Sequence, residues 1–188
     1  MKVRIALVVS MLAAGPVLAH VTPPVILASD RDAVSALLAG ARRYFVREVR
    51  LTAAERQRMQ KETGWHPDED FYRFYIGRDE QLHDVGAVTF LTEYTIHGPV
   101  RVAVGLAPDG KVIGARVIEL SEETYPWIKS LIDRGFLQTF NGRDAHASFV
   151  MEKGAGRSMS QFYGNVIAGL VRRAALLYEA GILRRERP

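Results

Sequence analysis

Apolar positions along this chain recur with two periods, and the changes between them mark out its elements. Over 30–44, Ala33, Leu37, Leu38 and Ala41 fall on one helical face behind Asp30, an acidic residue suited to cap the helix start. Residues 46–51 alternate instead, Val46, Val49 and Leu51 against Arg47, Glu48 and Arg50, which reads as a strand. Thr52, with Glu55 three residues on, forms a capping box that opens a short helix to about 62. After Gly64-Trp65-His66-Pro67 come four predicted strands, 70–78, 85–95, 100–107 and 112–120, the last two joined by the hairpin signal Pro108-Asp109-Gly110-Lys111. A helix over 125–135, a loop with a short turn over 136–143 and a long amphipathic helix over 158–183 complete the pattern. In that last helix Val166, Ile167, Leu170, Val171, Ala174 and Leu177 share a face and should lie on the sheet. Gly164 and Gly169 each lower its helix propensity by ~1 kcal/mol, which predicts close backbone approach at those positions. The fold class expected is α+β: a twisted antiparallel meander sheet packed against a few helices, with a long C-terminal helix.

The first residues follow a different rule. Met1-Lys2-Val3-Arg4 is a basic lead, 5–18 is an apolar run broken by Ser10, Gly15 and Pro16, and Val17-Leu18-Ala19 offers residues a signal peptidase reads. Residues 1–19 are therefore expected to be a cleaved signal peptide, leaving 20–188 as a single domain in the periplasm. The apolar run falls short of the ~20 residues a comfortable membrane span needs, and no cysteine is available for a lipid anchor.

Charge and composition then remove whole classes of function. The formal charge of +4 drops by two when Lys2 and Arg4 leave, so no nucleic-acid partner is expected. The basic pairs Arg42-Arg43 and Arg172-Arg173 and the run 184–187 read as solvated helix faces and a tail. With zero cysteines there is no disulfide, thiolate nucleophile, CxxC zinc site or covalent c-type haem, so redox chemistry would need a bound cofactor. None of the five histidines has ligand spacing. His20 alone suggests a metal reading, since cleavage after Ala19 would join its imidazole to a free terminal amine, a pair able to chelate copper. No catalytic triad, phosphate loop or paired-carboxylate site stands out.

The most pointed local signal is Ser158-Met159-Ser160-Gln161, heading the last helix behind the glycine-loosened lead Lys153-Gly154-Ala155-Gly156-Arg157. A helix start has amides without intrahelical partners and the positive end of the dipole, and Arg157 adds a guanidinium, so this is a candidate anion site. Trp127, Tyr125 and Phe162 are the aromatics available to form a flat apolar slot beside it.

The order of these motifs resembles the FMN-binding domain family, which includes the extracytoplasmic flavin subunits of the Rnf and sodium-pumping NADH:quinone reductase complexes and small periplasmic relatives. The run from Gly98 to Val104, the Asp109-Gly110 turn and Val117-Ile118-Glu119-Leu120 look like the family's central hairpin. Glu123-Thr124-Tyr125-Pro126 resembles its Glu-Thr-Pro-Gly turn, with Tyr125 inserted and the glycine missing, followed by Trp127, Leu131, Phe140 and Gly142 in the family's order. The family's Ser-Gly-Ala-Thr motif, whose threonine takes FMN phosphate from a flavin transferase, falls on Ser158-Met159-Ser160-Gln161. Here Gln161 replaces the acceptor threonine, and Ala155 stands where an acidic residue is usual. A one-residue slip would bring Ser160 to the acceptor position but misplaces Ile167 and Val171.

The resemblance thus implies an exported electron-transfer module rather than a free-standing enzyme. It would carry FMN without a covalent bond and work with a membrane redox partner. Arg157, Ser158, Ser160, Gln161, Glu123, Thr124 and Trp127 would be its cofactor-binding residues. Two other expectations stand beside it: a flavin-free relative acting as a binding or scaffolding module of a redox system, and a metal-binding protein using His20.

Overall fold

A computed structural model describes residues 23–149 and 158–186. The leader, His20 and the lead through Arg157 lie outside the described residues.

Six strands form one antiparallel sheet: β1 (Pro24–Ile26), β2 (Arg43–Val49), β3 (Tyr72–Arg78), β4 (Asp84–Thr95), β5 (Gly98–Leu106) and β6 (Val112–Ser121). Their order is β1-β6-β5-β4-β3-β2, so β2 to β6 run as a meander and β1 closes the far edge. The helices are α1 (Asp30–Leu37), α2 (Ala53–Thr63), α3 (Tyr125–Asp133) and the long α4 (Met159–Tyr178). A 3-10 turn spans Phe136–Phe140, and α4 runs on through a π-helical turn, Glu179–Leu183. The α+β meander expected from the apolar pattern is the observed architecture.

Both faces of the sheet are covered. On one, Val49, Phe74, Leu91, Val102 and Val104 pack against α3 and α4. Ile167, Leu170, Val171, Ala174 and Leu177 of α4 are buried there as their spacing required, and Val166 packs at the margin. On the other face, Ala33, Val34 and Leu38 from α1 meet Val88, Ala103 and Ile118.

Arg101 on β5 clamps α1 to this second face by donating to both carboxylate oxygens of Asp30, at 2.5 and 2.8 Å. That hydrogen-bonded pairing holds the Asp30 carboxyl below its ordinary value, while Arg101 also lies over the Phe90 ring. A depressed carboxylate adds stability above its unfolded value of 3.8 that is lost as pH falls through the folded one. Asp30→Asn should therefore cost ~0.5–1 kcal/mol at neutral pH, since the pair is partly exposed. The deficit should fade below pH 4, and urea denaturation at pH 7 and pH 3 checks it.

Several boundaries differ from the sequence reading. Helix α1 stops at Leu37, not 44, because Gly40 takes a φ of +100° and turns the chain into β2. Its N-cap is Ser29, whose hydroxyl accepts from the Asp32 amide at 3.1 Å, with Asp30 already inside the first turn. Strand β1 was not foreseen; three residues give no period to read. Gly169 has open space where a side chain would be, so the close approach expected there is absent. It occurs at Gly181, in the π-helical turn against Val49. Arg172 and Arg173 are half-buried rather than solvated: Arg173 pairs with Glu93 and lies over the Trp65 ring, and Arg172 reaches the Ala145 carbonyl. The capping box at Thr52 and Glu55 forms as expected. At the open edge, Tyr44, Phe45 and Val46 of β2 are largely exposed.

Candidate functional site

The β4–β5 connection is a two-residue turn, Ile96-His97, closed by the Thr95↔Gly98 pair. Gly98 has a φ of +105°, and a Cβ there would stand 2.9 Å from that of Ser121, so only glycine lets this turn lie against the end of β6. Thr95 secures it: its hydroxyl donates to the Gly98 carbonyl at 2.8 Å and accepts from the His97 amide at 3.2 Å. The Ser121 hydroxyl donates to the His97 carbonyl. The β6–α3 turn is laced in the same way, since Thr124 donates its hydroxyl to the Ser121 carbonyl at 3.1 Å.

These two turns and the head of α4 converge. His97 Nδ1 lies 2.7 Å from Glu123 Oε1, which fixes the ring and leaves Nε2 as its other hydrogen-bonding edge. The imidazole meets the Trp127 indole edge to face at 5.5 Å. Trp127 stacks on Tyr163 at 5.7 Å and 14°, and Phe162 crosses Tyr163 at 5.1 Å. Tyr163 shares a 3.2 Å hydrogen bond with Thr95, and burial pushes its phenol above the usual value. At the helix start, Ser158 caps the Gln161 amide at 3.2 Å. The Ser160 hydroxyl donates to the Trp127 carbonyl at 3.2 Å.

An open cavity of about 490 Å³ lies between the Ile96-His97 turn and the first turns of α4, lined also by Ser158, Met159, Gln161, Phe162 and Asn165. Its apolar groups are prominent: Ile96 is 94% exposed and Phe162 48%. That size is within the range of small-molecule sites, and apolar walls with a few polar groups are their usual composition.

The structure brings some of the expected residues into one neighbourhood and separates their roles. Ser158 and Gln161 line the cavity, as does Phe162 from the expected aromatic slot. Glu123 stands behind the cavity, holding His97. Thr124 is fully buried and ties the turn, and Ser160 is bonded to α3. Trp127 stacks on Tyr163 and does not line the cavity, and Tyr125 belongs to a different cleft with Leu27, Val117 and Leu137. Arg157 lies outside the described residues. His97, Ile96, Thr95 and Tyr163 were not singled out from sequence; a histidine beside a glycine at the tip of two alternating segments was the signal available.

Among the described residues no group of three or more histidines or acidic residues could hold a metal ion. No helix among them is long and apolar enough to cross a membrane. No family model, curated protein or solved structure matches this chain.

Proposed function

We infer that the cavity at the head of α4 is a ligand site and that the protein is an FMN-binding electron-transfer module, its flavin held without a covalent bond. The observation that carries this reading is the convergence, on one cavity, of a helix start, an apolar wall and the Glu123-supported His97. The fit to FMN has two parts. Ile96, Met159 and Phe162 offer an apolar surface for a flat ring system. Met159 and Ser160 open the first turn of α4, where amides lack intrahelical partners, and Ser158, Gln161 and Asn165 line the same cavity, a setting suited to a phosphate. When bound, FMN supplies the redox chemistry; the chain's own part is to hold and orient it and to keep His97 in a fixed position.

A non-covalent arrangement is favoured because the cavity presents an amide at Gln161, while the Ser160 hydroxyl is engaged by the Trp127 carbonyl. The exported location and a membrane redox partner belong to the same reading. One observation favours the flavin-free binding module instead: Trp127 spends a face on Tyr163 rather than offering it to the cavity.

Titration of the mature protein with FMN, followed by flavin fluorescence, tests the choice. Binding should saturate, and Phe162→Ala should weaken it by about tenfold from lost ring contact. Riboflavin, which lacks the phosphate, should bind less tightly, and a denaturing gel should show no fluorescent band. Native protein that does not bind FMN would establish the flavin-free module. A fluorescent band lost in Ser160→Ala would show attachment through that hydroxyl.

A further inference from the structure

The edge of the sheet at β6 is only partly covered. Strand β1 accompanies β6 from Pro24↔Ser121 to Ile26↔Glu119, and the Leu27 amide then donates to the Ile118 carbonyl at 2.8 Å before the chain turns into α1. At the other end of β6 the Gly142 amide donates to the Val112 carbonyl at 2.7 Å, and the Val112 amide to the Arg143 carbonyl at 2.9 Å. Between these two closures, residues 113–117 have no main-chain partner on the outer side among the described residues. Such an edge offers main-chain donors and acceptors to whatever lies beside it. A cleft of about 320 Å³ opens there, between the β1–α1 connection, α3 and the 3-10 turn, and separate from the cavity at the α4 head.

Its floor is apolar and preformed. Val117 and Leu137 belong to the main core, Tyr125 and Ile132 pack against it, and Leu27 stands 37% exposed at the mouth. The Tyr125 hydroxyl lies near Lys129 and stays open to solvent. Apolar walls of this size with a few polar groups at the rim are the usual setting of a small-ligand site.

The rim selects the head group. Arg116, Lys129 and Asp133 are its charged residues. Lys129 is engaged by Asp133 at 2.5 Å, one helical turn on. Arg116 forms no ion pair among the described residues. The acids of α1 and β6 are committed elsewhere: Asp30 and Glu119 act on Arg101, and Asp32 accepts from the Ser29 hydroxyl. A guanidinium can meet a carboxylate through two parallel hydrogen bonds, and beside an apolar cleft that pairing is worth more than in open water. A cation placed here would face Arg116 and find Asp133 already taken.

We propose that this cleft binds a carboxylate carried by a compact apolar group, the carboxylate on Arg116 and the apolar group between Leu27, Val117, Ile132 and Leu137. A free acid and the carboxy-terminal residue of a peptide share this chemistry. A peptide would gain more, because its main chain could also pair with the open edge of β6. The inference is independent of the flavin reading.

Calorimetric titration of the protein with sodium 4-methylpentanoate tests it. The controls are 4-methylpentanamide, which lacks the charge, and sodium acetate, which lacks the apolar group. The acid should bind with a dissociation constant of ~1 mM or below, and both controls about tenfold more weakly or worse. Arg116→Gln should weaken the acid by about tenfold, and Leu27→Ser by about fivefold. Both are surface changes, and circular dichroism should show the fold intact. Acetyl-Ala-Ala-Leu and its carboxy-terminal amide separate the two sources. Tighter binding by the peptide acid than by 4-methylpentanoate would assign the cleft to a chain end, and equal or weaker binding to a free acid. The proposal is overturned if neither acid binds at concentrations well above ~1 mM, if the amides bind as tightly as the acids, or if Arg116→Gln binds as the parent does.

Discussion

Gly181→Ala should lower stability by ~1–3 kcal/mol or more, although alanine is the better helix former by ~1 kcal/mol. The methyl would stand 2.1 Å from Val49 Cγ1, 2.7 Å from Cγ2 and 2.9 Å from Cβ. Val49 cannot retreat: it is fully buried, β-branched and fixed in β2 opposite Tyr72. The π-helical turn that holds Gly181 is itself buried through Ala180 and Ile182, so the helix has no free direction in which to shift. Val49→Ala removes the two nearest atoms and by itself should cost ~2 kcal/mol for the lost methyls. Combining the two changes should then cost less than their sum, a coupling of ~0.5–3 kcal/mol. Chemical denaturation of the four proteins measures it. A Gly181→Ala variant as stable as its parent would show that the turn is not seated on Val49.

In alkali the protein should lose on the order of 2–3 kcal/mol between pH 10 and about pH 12 on account of Tyr72. Burial, opposed by the nearby Glu69 amide, raises its phenol from 10.0 to about 12. A raised folded value means that the contribution is intact below the unfolded value and disappears as pH climbs through the folded one. Tyr163 is shifted in the same direction by burial and should keep part of the dependence in Tyr72→Phe. Stability of parent and Tyr72→Phe measured from pH 8 to pH 12 should therefore diverge toward high pH, the parent falling and the variant staying flatter. Parallel curves would refute the assignment of this shift to Tyr72.

The residues explain why much of the fold was legible and the site less so. In α4 one apolar face is sustained over five turns, and burial of Ile167, Leu170, Val171, Ala174 and Leu177 follows from spacing alone. The four long strands were legible because turns punctuate them: Gly64-Trp65-His66-Pro67 ahead of β3 and Asp109-Gly110 between β5 and β6. Over 41–47 the signal fails, because β2 is an edge strand whose apolar side chains need not alternate with burial. The head of α4 was legible through its serines, and Glu123 and Trp127 through the order of motifs. His97 was not, because its partner Glu123 is 26 residues away and only the meander brings them together. Tyr72 was hidden more deeply: an unpaired hydroxyl is a property of packing, with no mark in the sequence.

The open edge at β2 governs how this molecule behaves in crowded solution. Tyr44, Phe45 and Val46 face water on the last strand of the sheet, where an approaching copy could add its own strand by main-chain bonding. Arg43 and Arg47 flank that apolar trio and bring like charge against like when two such edges meet. They act as gatekeepers whose reach is about 10 Å at 0.1 M salt and shrinks to about 3 Å at 1 M. The protein concentration at which chains begin to coalesce should therefore fall as ionic strength rises.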